Sequence, residues 1–126
     1  MRFHKLFTVG LLLPAFALAT PSSKWDKMGK AMTIKGYVLD SACAFTKGLK
    51  KPVSKDCAVA CAKAGSPLAI LGDDGTLYLP ISDATPPTGQ NEKLLPFAGE
   101  KVSVTGKVFA SGGSHAIVIE KIQAAE

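Results

Sequence analysis

Apolar and polar residues alternate in two long stretches of this chain and, in part, in two shorter ones, and a further short run is wholly apolar. Met32-Thr33-Ile34-Lys35-Gly36-Tyr37-Val38-Leu39-Asp40 begins with a period of two and carries β-branched and aromatic side chains, which predicts a strand over 32–40. Gly36, inside it, marks an expected bulge or sharp bend. Residues 68–71 form a short apolar run. They are followed by the turn Gly72-Asp73-Asp74-Gly75 and a return strand over 76–79, closed by Pro80. Lys101-Val102-Ser103-Val104-Thr105-Gly106-Lys107-Val108-Phe109 alternates without a break, and Ser111-Gly112-Gly113-Ser114 turns it into a closing strand over 115–122. Pro86, Pro87 and Gly89 make 82–90 a surface loop, and 92–97 reads as one helical turn broken by Pro96.

One segment has helical rather than strand character. Ser54 is a good N-cap, Asp56 lies in the first turn, and Gly65 followed by Pro67 stops the chain, so a short Ala-rich helix is expected over 54–64. Five short strands with bends at Gly36 and Gly106 fit a mainly β fold, a small five-stranded OB-like Greek-key barrel. The helix would be an insertion between strands 1 and 2, at about 40–66.

The first residues change the picture of where the chain works. Arg2, His4 and Lys5 precede an apolar run over 7–18, shorter than the ~20 residues that span a bilayer, and Ala17-Leu18-Ala19 is a small-x-small cleavage site. The expectation is a signal peptide over 1–19, cleaved near Ala19, with the product exported to the periplasm or secreted. A polar, flexible leader over 20–31 would precede the barrel domain at 32–126. Cleavage leaves 13 basic and 10 acidic residues, a mild excess. With few aromatics and only Lys50-Lys51 as an adjacent basic pair, no nucleic-acid partner is expected, and Lys47 to Lys55 reads as a solvated loop. No transmembrane segment is expected after cleavage.

The chemistry concentrates in Asp40 to Cys61, which holds all three cysteines, Cys43, Cys57 and Cys61. Cys57 and Cys61 share a helix face with Cβ atoms about 5–6 Å apart, too far for the ~3.8 Å a disulfide prefers. Cys43, arriving from the end of strand 1, can meet either. One reading is therefore a disulfide of Cys43 with Cys57 or Cys61. It would close a short loop, stabilise by about 3 kcal/mol, and leave one thiol free for an intermolecular disulfide. The other is a thiolate metal site on Cys43, Cys57 and Cys61, since soft sulfur ligands select Cu(I) or Zn(II). Proximity to a helix N-terminus would favour the Cys57 thiolate. Zinc asks for a fourth ligand, for which Asp40, water or His115 are candidates; trigonal Cu(I) does not. Asp40 has a second reading, as a backbone cap. Trp25, Met28 and Met32 are soft groups at helical spacing, but suit the edge of a core better than a metal. Asp73-Asp74 reads as a solvated turn. The absence of C-x-x-C, C-x-x-C-H and G-x-S-x-G gives no support to a thioredoxin-like enzyme, a c-type haem or a serine hydrolase. The residues thus point to a non-enzymatic binding module with a three-cysteine cluster, or to a disulfide-stapled adaptor or ligand-binding OB-type domain without metal.

The pattern Gly36-x-Val38-x-Asp40-x-x-Cys43, Cys57-Ala58-x-x-Cys61, Gly65-x-Pro67, Asp74-Gly75-x-Leu77-Tyr78 and Gly99-x-x-Val102-x-Val104-x-Gly106 resembles a family of small exported bacterial proteins with an OB-fold-like domain and a Cys…CxxxC signature. The likeness covers most of the chain after the expected cleavage point. Similar sequences often carry a His three residues before the first Cys of the C-x-x-x-C pair. Here that position is Ser54, so a Cys3His site would lack its histidine.

Overall fold

The structure is a computed structural model that describes residues 29–48 and 54–126. The expected signal peptide, almost all of the expected leader, and Trp25 and Met28 lie outside the described residues. Five strands, β1 (Lys30–Asp40), β2 (Leu68–Gly72), β3 (Leu77–Ile81), β4 (Lys101–Ser111) and β5 (Ser114–Ala124), close into a barrel in the order β1-β2-β3-β5-β4. β3 and β5 run parallel and the other pairs antiparallel. This is the five-stranded OB-like Greek-key barrel expected from the strand pattern.

The alternating strands place their apolar sets inward. Ile34, Val38, Ile70, Tyr78, Val102, Val104, Val108, Ile117 and Ile119 form the core. Leu94 and Ala98 complete it, from the short helix α3 (Asn91–Leu94) and the residue after the 3-10 turn Leu95–Phe97. That pair realises the helical turn expected at 92–97. β2 is buried along its whole length, which explains its unbroken apolar run. One side faces the barrel interior, and Leu71 on the other packs with Leu39 and Ala44.

Three expectations are corrected. β1 begins at Lys30, two residues before Met32, and its pairing with β4 starts there. Gly36 is not a bulge, since the register of β1 runs through it against both neighbours. A Cβ at Gly36 would collide with the Leu71 carbonyl, so close approach of two backbones is what requires glycine there. The register shift lies instead between Thr105 and Gly106, where β5 carries the extra residue. Pro80 does not close β3, which continues to Ile81 and pairs with β5 through Val118. Gly112 and Gly113 form the two-residue β4–β5 turn, with φ of 56° and 79°, as a primed hairpin turn demands.

The insertion between β1 and β2 holds two helices rather than one: α1 (Ser41–Thr46) and α2 (Lys55–Lys63). α2 starts on Ser54 and ends at Ala64, as its caps predict. It buries Ala58 and Ala62 against the main core, whereas α1 buries Ala44 over the outer face of β1 and β2. No helix among the described residues is long and apolar enough to cross a membrane.

Candidate metal centre

The three cysteines converge. Cys43 is delivered by α1, and Cys57 and Cys61 by one face of α2. Their sulfurs all lie within 4.8 Å of one another, and all three residues are half-buried. Cys43 and Cys57 approach to 3.6 Å, Sγ to Sγ. All three are free thiols. A tetrahedral site with metal–sulfur bonds of about 2.3 Å sets its sulfurs ~3.8 Å apart, so the cluster lies within about 1 Å of ligating spacing.

Local sequence explains the convergence. Asp40, the last residue of β1, is the N-cap of α1 and accepts from the Cys43 backbone N–H at 2.7 Å. This cap turns the chain directly out of the barrel wall and projects Cys43 over α2. Ser54 caps α2 and accepts from the Cys57 N–H at 3.3 Å. The far end of α2 closes as a Schellman turn. Ser66 N–H donates to Cys61 C=O and Gly65 N–H to Ala62 C=O, both at 3.0 Å, with Gly65 at φ 101°. The Ser66 hydroxyl then donates to the Asp40 carboxylate, and Ser41 N–H to Pro67 C=O at 2.9 Å. Asn91 completes this neck: its side chain accepts from Leu68 N–H at 2.8 Å and donates to Ser66 C=O at 2.8 Å and Ala62 C=O at 3.4 Å. On the opposite side, Gly99 (φ 77°) lies so close to the Lys55 backbone that a Cβ would clash, and Lys55 pairs with Glu100 at 2.9 Å.

The electrostatics separate the three thiols. Cys43 is pushed up to about 12, first by its hydrogen bond to the Asp40 carboxylate and then by its contact with Cys57. Cys57 is lowered, first by the hydrogen bond from Cys43 and next by the Lys47 ammonium, whose Nζ lies 3.7 Å from the sulfur. Burial, followed by the charge of Asp40, raises Cys61. For Asp40 itself, burial pushes the carboxyl up. The hydrogen bonds from Ser66 and from the backbone and thiol of Cys43 outweigh it and hold the group below the usual carboxylate range. Of the three thiols, Cys57 is therefore the one whose ionisation its surroundings favour.

The non-sulfur candidates fare differently. Asp40 acts as the helix cap and neck acceptor, and is not grouped with the sulfurs as a donor. His115 stands at the start of β5, its ring edge-on to Tyr78 with centroids 5.8 Å apart. It lines a groove of about 300 Å³ with Met32, Asp74 and Tyr78 and does not join the cluster. Met32 packs against the core from a strand, not from a helical turn. Asp74 caps its own turn, accepting from Thr76 N–H at 2.9 Å. Lys47, expected as part of a solvated loop, instead contacts Cys57; its position four residues after Cys43, at the end of a helix, was the signal for it. Ser66 and Asn91 carry no motif that announces their part in the neck. Comparison of the chain with protein-family models, with curated proteins and with solved structures yields no match.

Proposed function

We propose that this chain is an exported, non-enzymatic binding module that holds one soft metal ion, Cu(I) or Zn(II), on Cys43, Cys57 and Cys61. The observation that carries the reading is the approach of three unbridged sulfurs to within 4.8 Å, from two separately capped helices. Thiolates are the preferred donors of these ions, and binding would displace the thiol protons. Cu(I) would take the three sulfurs alone. Zn(II) would add a fourth ligand, and water is the natural one, because Asp40 and Ser54 already cap helices and His115 lies against Tyr78.

Titrating the reduced protein with Cu(I) against a chromophoric Cu(I) chelator, and with Zn(II) against a chromophoric Zn(II) chelator, tests this. One ion per chain is expected, lost on replacing any one cysteine by serine. Binding that survives Cys61→Ser would reject a three-sulfur site.

The alternative, a disulfide-stapled adaptor with one free thiol, is favoured by the 3.6 Å approach of Cys43 and Cys57. Metal titration after full reduction distinguishes the two: uptake of one ion per chain supports the metal site, and no uptake by a protein isolated with one free thiol supports the staple.

A further inference from the structure

We propose that the site is gated by oxidation: a Cys43–Cys57 disulfide and a bound metal ion are alternative states of the same three sulfurs. The proposal rests on the metal reading above and adds its regulation. Its basis is the unequal geometry of the cluster. Cys57 and Cys61, one helical turn apart on α2, cannot bridge while the helix is intact. Cys43 comes from a different helix and already stands 3.6 Å from Cys57, against a bond length of about 2.05 Å. The Lys47 ammonium beside Cys57 stabilises it as the attacking sulfur. The hydrogen bonds of Ser66 to Asp40 and of Asn91 to Ser66 hold the base of both helices without a cysteine sulfur, so closing the bridge costs Asp40 only its contact with the Cys43 thiol and leaves the rest of the neck in place.

With a low-molecular-weight disulfide as oxidant, the step balances. The Cys57 thiolate attacks one sulfur of the oxidant, the oxidant's S–S bond breaks, and one thiol leaves with a proton from solvent. Cys43 gives up its proton and attacks the Cys57 sulfur, expelling the second thiol. Two electrons pass from the pair to the oxidant, which ends as two thiols, one protonated from solvent and the other by the proton that Cys43 gave up. Cys61 remains the only thiolate donor of the three, too few to hold a soft ion against competing chelators.

The test uses the full chain. The reduced, metal-free protein is treated with oxidised glutathione, its thiols are counted, the bridge is mapped by non-reducing digestion and mass spectrometry, and Cu(I) and Zn(II) uptake are measured before and after. The expected result is one remaining thiol, a Cys43–Cys57 linkage within one chain, and at least a hundredfold loss of metal affinity that a reductant restores. Metal loaded beforehand should slow bridge formation at least tenfold, and Cys61→Ala should still form the bridge. A Cys43–Cys61 or interchain linkage, persistence of three thiols, or uptake unchanged after oxidation would overturn the gate. Failure of the metal reading is seen separately, as a reduced protein that takes up neither ion; it removes the gate as well, whichever bridge forms.

Discussion

The Ser66 hydroxyl donates to the Asp40 carboxylate across 26 residues of chain, joining the residue before α1 to the turn after α2. Asp40 thereby fixes where Cys43 leaves the barrel and where Cys61's helix returns to it. Its burial, at 1 % exposure, makes each of these hydrogen bonds hard to replace with water. Asp40→Asn should lower stability at neutral pH by about 2 kcal/mol, the worth of a charge-assisted hydrogen bond, as read from urea denaturation. Because the folded-state pKa is depressed, this stabilisation is present above the unfolded carboxyl value of about 3.9 and is lost as pH falls through the folded value. The gap between wild type and Asp40→Asn should therefore narrow on acidification below that range; a gap that widens would contradict the assignment.

Cys57 should be the first of the three thiols to react with iodoacetamide near neutral pH, since both Cys43 and Lys47 favour its thiolate. Peptide mapping after brief alkylation reads the order directly. Lys47→Met should shift the pH midpoint of Cys57 alkylation upward while leaving the fold intact, because Lys47 is exposed. Preferential labelling of Cys43 would refute the ordering.

Asn91→Ala removes one acceptor and two donated hydrogen bonds at the neck, leaving Leu68 N–H and Ser66 C=O without this partner. A loss of about 2–3 kcal/mol is expected from unsatisfied, partly buried groups of this kind. Thermal unfolding measures it, and metal uptake should weaken in parallel as the end of α2 loosens. Stability unchanged within error would show that the neck does not depend on Asn91.

Ser54→His places an imidazole three residues before Cys57, at the start of α2. The expected outcome is tighter Zn(II) binding with little change for Cu(I), at a stability cost of about 1 kcal/mol for the lost helix cap. Equal effects on both ions would argue that the histidine does not reach the metal.

Much of this could be read from residue order. The period-two runs at Met32–Asp40 and Lys101–Phe109 announced the two long strands, and Ser54 with Gly65 announced both ends of α2. That Cys43 meets the helix pair followed from Cys57 and Cys61 sharing one face. What stayed hidden depends on tertiary contacts. Six residues of α1 are too few to display a helical period, and the Asp40 cap and the burial of Ala44 that define the helix are visible only in the folded chain. Pro80 reads as a strand stop, yet barrel closure carries β3 past it to Ile81. Gly36 reads as a bulge in the sequence, whereas the Leu71 carbonyl is what requires it. A glycine demanded by a neighbouring carbonyl and one demanded by a bulge leave the same letter in the sequence. Asn91, 25 residues beyond Ser66, gives no local hint of its partners.

The closeness of Gly99 to the Lys55 backbone bears on how portable the cysteine stretch is. Part of the footing of α2 belongs to residues 91–100 and part to the barrel core under Ala58 and Ala62, most of it outside the segment that contains the sulfurs. A synthetic peptide spanning 40–66 would have every thiol and lack both the ledge at Gly99 and the Asn91 clamp. It should behave as a floppy chelator whose affinity bears the entropy of ordering it. Grafting the stretch into another barrel would succeed only where the recipient supplies the same ledge, so the unit of inheritance and of design for this centre is the whole domain.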